Sequence, residues 1–155
     1  SSAFRFRGLA ALLGHEIDLL VTPDPIERPG LEYRPVFDYE LVLAVANDHP
    51  LARKAQIMPT DIAAETLITY PVARERLDIY TQFLVPAHAL PRRHRTVETT
   101  DLMLRMVASG RAVSATPDWL LRNVKDVTGV RIGSGIWSSW ASSPFPESGC
   151  PAAVP

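Results

Sequence analysis

Leu41-Val42-Leu43-Ala44-Val45-Ala46, closed by Asp48-His49-Pro50, is the stretch that decides the fold. A strand with one wet face alternates apolar and polar residues; six apolar residues in a row need cover on both faces. Downstream, Thr60 followed by Asp61–Glu65 reads as a cap and a brief helix. Thr66–Tyr70 reads as a strand ended by Pro71. Leu77, Tyr80 and Leu84 stand at i, i+3 and i+7, which predicts a helix face over Arg76–Leu84, stopped near Pro86. Thr96–Thr99 reads as a strand, and Thr99 or Thr100 caps a helix holding Leu102, Leu104, Met106 and Val107, closed by Gly110. Ala112–Thr116 is a further strand, and Pro117 opens a helix over Asp118–Val124 with Trp119 and Leu120 turned inward. Upstream, Leu31–Val36 alternates loosely, Ile17–Thr22 is a buried strand feeding Pro23-Asp24-Pro25, and Leu9, Leu12 and Leu13 mark a short amphipathic helix ending at Gly14. This alternation of strand and helix predicts an α/β domain with a mostly parallel sheet and helices on its faces.

Composition narrows the function. The 155 residues carry 16 Lys+Arg against 17 Asp+Glu, a formal net charge of -1, which argues against a chain that grips nucleic acid by itself. One cysteine excludes a disulfide scaffold and a Cys-rich zinc site. No apolar run reaches the roughly 20 residues that span a bilayer, and Ser1-Ser2-Ala3-Phe4-Arg5 does not read as a signal peptide. A cytoplasmic setting is the expectation. After Trp137 the sequence turns to Ser, Pro, Ala and Gly, and with 14 prolines in the chain this tail reads as irregular.

Catalytic constellations are thin. There is no Gly-x-Ser-x-Gly elbow, phosphate loop or His-Glu-x-x-His. His15, His49, His88 and His94 are scattered and read as surface residues, Cys150 lies in the tail, and the pairs Asp38/Glu40 and Asp24/Glu27 read as solvated loop acids. No catalytic residue, cofactor or metal ligand is expected. A binding site is more plausible. In α/β sheets ligands sit at the carboxyl ends of strands, beside helix N-termini. Strands here end at Thr22-Pro23-Asp24, Tyr70-Pro71, Glu98-Thr99-Thr100 and Ala115-Thr116-Pro117, with Arg74 and Arg76 close after Tyr70. Hydroxyls, free helix-start N–H groups and a guanidinium suit a small carboxylate. The plainer alternative is that each of these threonines only caps or turns the chain.

Leu31–Val45 followed by Asp48-His49-Pro50-Leu51-Ala52 resembles the effector-binding domain of LysR-type transcriptional regulators. Gly14–Val21 resembles that family's entry into a strand, and Leu102–Pro117 resembles its helix-to-strand segment, so the likeness runs over about residues 8 to 124. Glu65-Thr66-Leu67-Ile68-Thr69-Tyr70-Pro71-Val72-Ala73-Arg74-Glu75-Arg76-Leu77-Asp78 resembles the methionine-biosynthesis subgroup, whose members respond to homocysteine.

The resemblance implies a two-lobed fold like type II periplasmic binding proteins. It gives residues 1–39 as a partial first lobe, 40–132 as the second lobe and 133–155 as a returning segment with the irregular tail. The crossings fall near Asp38–Glu40 and Ile132–Trp137. The family's cleft positions fall on the loop at Arg5, on Thr22, Tyr70, Pro71, Thr99, Thr100 and Thr116; of the two arginines close after Tyr70, the expected cation is Arg74. The implied effector is a small amino acid such as homocysteine, and the implied assembly a homo-oligomer. DNA is expected to bind only through a domain absent from this chain, and no membrane contact is expected. The rivals are a solute-binding protein of a transport system and, behind it, an α/β enzyme.

Overall fold

In the computed structural model the chain runs α1 (Ser2–Leu13), β1 (Leu19–Thr22), β2 (Arg34–Ala46), a 3-10 turn Pro50–Arg53, α2 (Pro59–Ala63), β3 (Thr66–Thr69), a 3-10 turn Arg74–Arg76, a π-helical turn Ile79–Leu84, β4 (Arg93–Thr96), α3 (Thr100–Ala108), β5 (Ser114–Pro117), a 3-10 turn Asp118–Leu121, and β6 (Val127–Pro144). The structure describes residues 2–22 and 28–144, with the side chains of 8–22 and 28–139. Cys150 and the end of the Pro-rich tail, and the Asp24/Glu27 pair, lie outside the described residues. The chain divides into two compact units, one holding the residues up to Asp38 and from Ser139, the other Tyr39–Ser138. β2 and β6 are the strands that carry the chain from one unit to the other.

In the first unit β1 pairs antiparallel with the end of β6, Leu19 opposite Pro144 and Thr22 opposite Ala141. The irregular segment expected after Trp137 is therefore strand as far as Pro144. A ladder is made by backbone N–H and C=O groups, so a run of Ser and Ala needs no apolar period to join one. α1 comes close to β1 at Gly8, where a Cβ would stand 2.8 Å from Leu20 Cδ1.

In the second unit β3 and β4 are parallel, Leu67 opposite His94 and Thr69 opposite Thr96. Parallel bridges also join Leu67 to Val113 and Ile57 to Ile132. Ile68 N–H donates to Val113 C=O and Val113 N–H to Thr66 C=O, both at 2.9 Å. The α/β architecture is as expected. The parallel order does not extend to β2 and β5, which pair antiparallel with Val42 opposite Thr116. β2 enters this unit from the other one rather than through a helix crossover, so the crossover rule that makes neighbours parallel does not govern it.

Leu41–Ala46 is buried throughout, each residue at 8% exposure or less, as its unbroken apolar run demanded. Ile68, Val97, Met103 and Ala112 form one cluster, with Tyr70 and Met106 against it. Ala44, Val107 and Val127 form another, with Ala108, Leu121 and Val124. α3 joins the two through Met103 and Val107, one helical turn apart. Burying each such side chain contributes about 1.5–3 kcal/mol.

Four local expectations are corrected. Leu102 is exposed and Met103 takes the inward place on α3. Trp119 is exposed, and Leu121 and Val124 pack instead, because the segment is a 3-10 turn whose inward positions differ from those of an α-helix. The regular helix expected over Arg76–Leu84 is a 3-10 turn followed by a π-helical one, closed by Val85 N–H donating to Tyr80 C=O at 2.9 Å. The wider turn brings Ile79 and Leu84, five positions apart, inward together with Tyr80. Met58, not Thr60, stands at the start of α2, where Asp61 Oδ2 accepts its N–H at 2.8 Å.

Candidate functional site

One corner of the second unit gathers the end of β3, the middle of β4, the Arg74 turn, the π-helical turn and the start of α3. Arg74 Nε–H donates to His94 Nδ1 at 3.2 Å. With Nδ1 accepting, the ring proton of a neutral His94 sits on Nε2, which lies 2.7 Å from Thr69 Oγ1. Thr69 completes the chain by donating its hydroxyl proton to Tyr70 C=O at 3.1 Å. The Arg74 guanidinium carbon stands 5.3 Å from the centre of the Tyr80 ring, within cation–π range. The His94 ring meets the same Tyr80 edge-on, centroids 5.4 Å apart at 60°.

Electrostatics follow from this packing. Burial, and then the Arg74 charge, hold His94 below the ordinary histidine range. Burial pushes the Tyr80 phenol up, partly offset by Arg74. The phenol oxygen of Tyr80 is buried and meets no hydrogen-bond partner among the described residues.

The neighbouring wall is α3. Thr99 is its N-cap, extended at φ −126° and ψ 145°, and Thr99 Oγ1 accepts Leu102 N–H at 3.3 Å. Thr100 is the first helical residue, and its hydroxyl meets Tyr70 Oη at 2.5 Å, tying the segment after β3 to the helix start. Asp101 is drawn to Arg105 at 3.0 Å, an exposed pair of little energetic weight.

The structure thus brings Tyr70, Arg74, Thr99 and Thr100 to one corner, with Pro71 exposed beside Tyr70. Thr116 lies on β5 with its hydroxyl buried, and no hydrogen bond among the described residues ties it to that corner. Arg5 and Thr22 belong to the other unit. Arg5 lies within α1, not in the loop expected for it, because the helical pattern of Leu9–Leu13 extends back to Ser2; its side chain is outside the described set. Thr22 ends β1, half-buried.

Sequence reasoning missed His94 and the ring of Tyr80. A signal existed: in Arg93-His94-Arg95 a strand's period of two turns His94 opposite to both arginines, and only His94 of the three is half-buried. The other histidines hold local structure. His49 Nδ1 accepts Leu51 N–H at 3.1 Å, and His15 and His88 occupy left-handed turns at φ 62° and 52°. Among the described residues no acidic, His or Cys cluster suits a metal ion, and no helix is long and apolar enough to cross a membrane. The corner offers a held cation, a hydroxyl and a helix start, which together suit a small carboxylate.

Comparison with known proteins agrees with this architecture. The model of the LysR substrate binding domain matches residues 4–135. The HTH-type transcriptional regulator MetR of Salmonella typhimurium is 43% identical over 141 residues, 89% of this chain and 44% of its own. MetR of Escherichia coli K12 is 42% identical over 140 residues, 88% of this chain and 44% of its own. The chain therefore spans less than half the length of these relatives, which are regulators of transcription rather than enzymes. The regulatory domain of MetR from N. meningitidis superposes with a TM-score of 0.74 at 33% identity, covering 91% of this chain and 67% of that one. The regulatory domain of CcmR from Synechocystis PCC6803, solved in complex with 2-PG, gives a TM-score of 0.75 at 21% identity over 97% of this chain and 73% of that one, a likeness of fold alone. The fold is of the type II periplasmic-binding-protein-like class expected.

Proposed function

The chain belongs to the LysR substrate-binding domain family, and from that premise we propose that it is the effector-sensing domain of a regulator of methionine biosynthesis that takes a small amino acid such as homocysteine. The observation that carries the reading is the corner itself: Arg74 held by His94 and Tyr80, beside a capped helix start and the Tyr70–Thr100 pair. An amino-acid carboxylate gains a charge-assisted pair from Arg74 and the partial positive charge of the α3 start. Tyr70 and Pro71 form the wall and Thr100 the rim, and Thr99 contributes through the helix start that it caps. Thr116, in the same unit, is the further contact proposed.

In the whole protein the effector shifts the balance between conformations by binding one more tightly than the other. The working form is a cytoplasmic homo-oligomer, and DNA is bound through another domain. A transport solute-binding protein shares the fold class, but the relatives at 42–43% identity are transcription regulators, which favours the regulator. Calorimetric titration with L-homocysteine, L-methionine and L-alanine tests the reading. Saturable heat with L-homocysteine at least about tenfold tighter than with L-alanine supports it; no saturable heat with any of the three overturns it.

A further inference from the structure

His94 does no work in the site as the sequence presents it, yet it touches every part of the corner that fixes Arg74. From β3 it meets Thr69 Oγ1 at 2.7 Å, from the 3-10 turn Arg74 Nε at 3.2 Å, and from the π-helical turn the ring of Tyr80, centroids 5.4 Å apart. The charged and titratable groups facing it are Arg74 and Tyr80; its own strand adds Arg93 and Arg95, both exposed, and no carboxylate among the described residues pairs with it. Arg74 is exposed, and apart from His94 and Tyr80 nothing among the described residues engages its guanidinium. An exposed arginine with four rotatable side-chain bonds samples many rotamers unless something holds it, and ordering it at the moment of binding costs entropy.

We infer that His94 is the positioning residue of this site: as a neutral imidazole it holds the Arg74 guanidinium over the Tyr80 ring, and on protonation it releases it, so that carboxylate binding weakens in acid. The inference rests on the effector reading above for its ligand, though the holding contact stands without one. The chemistry has one consistent arrangement. Nδ1 has to accept, because Arg74 Nε can only donate. A protonated ring carries N–H on both nitrogens and has nothing left to accept with, so the Arg74 contact becomes two donors and two positive charges face to face.

A bound carboxylate pulls the other way, since it attracts an imidazolium. Distance decides between the two. The repulsion acts across a single 3.2 Å contact, whereas a carboxylate on the outer nitrogens of Arg74 is separated from His94 by the width of the guanidinium. Coulomb energy falls as the inverse of distance, so the repulsion dominates. Burial of the ring favours the neutral form further, in the same direction.

The test uses nitrogen NMR on the ligand-free protein together with calorimetry. At pH 8 the ring should show Nε2 protonated and Nδ1 bare, with a slowly exchanging Arg74 Nε–H signal that disappears as His94 titrates and is absent in His94→Leu. L-Homocysteine, whose carboxylate stays ionised throughout, should bind up to about tenfold more weakly per pH unit once His94 protonates. His94→Leu should weaken binding at pH 8 by about tenfold, the factor that corresponds to one pKa unit of interaction. His94→Asn, which keeps an acceptor and cannot titrate, should recover much of that affinity and flatten the pH profile. Affinity that is independent of pH or rises in acid, or an Arg74 Nε–H signal unaltered in His94→Leu, overturns the inference. If L-homocysteine does not bind at any pH, the effector reading fails, and the NMR arm alone decides whether His94 holds Arg74.

Discussion

Replacing Thr99 by Ala separates capping from ligand contact at the start of α3. Thr99 Oγ1 accepts Leu102 N–H at 3.3 Å, and the extended backbone of Thr99 is that of an N-cap. Losing a Thr cap to Ala costs about 1 kcal/mol, within a range of about 0.5–2. This bond lies at the long end of the usual spread and the residue is exposed, so the lower half of that range applies, about 0.5–1 kcal/mol. In a unit of the size of Tyr39–Ser138, each kcal/mol moves the melting midpoint by about 4–8 °C. A drop of roughly 2–8 °C in a calorimetric scan is therefore expected, with a matching fall in the urea midpoint at unchanged slope. Thr99→Ser and Thr99→Asp should restore most of it. Thr99→Gly should cost only a few tenths of a kcal/mol, because glycine is itself a tolerated cap. Because the hydroxyl is already engaged with the helix, L-homocysteine affinity should change little once the folded fraction is accounted for. A Thr99→Ala protein as stable as the parent, or one whose folding-corrected affinity falls tenfold, refutes the capping assignment.

Other consequences are open to measurement. Ile68 is fully buried among Val97, Met103 and Ala112, so Ile68→Ala should lose about 2–5 kcal/mol and Ile68→Val only about 0.5–1.5 in urea unfolding; equal losses would mean the cluster is not packed as described. Hydrogen exchange should be slowest at Leu43–Ala46 and Leu67–Ile68, the strands with the most deeply buried residues; comparable protection in β1 would contradict this. Burial and Arg74 lower the His94 pKa, so the unfolded chain binds its proton more readily. The stability from a neutral His94 is complete above about pH 6.5 and is lost as pH falls below that value toward the lowered native pKa. His94→Asn should remove that portion of the acid sensitivity, and an identical stability–pH curve for the variant would count against it.

The sequence was most legible where burial leaves no choice. Six apolar residues at Leu41–Ala46 could only be a covered strand, and they are. The family motifs likewise rest on core and turn positions, so they pointed to the fold that the comparisons support. It was least legible where backbone geometry departs from the standard periods. Leu77, Tyr80 and Leu84 fit an α-helix on spacing, but the chain takes a 3-10 turn and then a π-helical one, and that break places Tyr80 under Arg74. His94 was hidden for a related reason: β4 is four residues of Arg, His, Arg and Thr, too polar to announce a strand, so its inward position was invisible without the partner β3. The strand beyond Trp137 was missed because its partner β1 recruits it through backbone groups that composition does not report.

The most direct test of the central claim is to titrate L-homocysteine into nitrogen-labelled protein and follow amide and arginine side-chain signals. Saturable shifts are expected at Tyr70, at Arg74 Nε–H and at the Thr99–Leu102 amides, with Arg74→Ala abolishing the shifts at the start of α3. Saturation that leaves all of these signals unmoved, or shifts there that persist undiminished in Arg74→Ala, would contradict it.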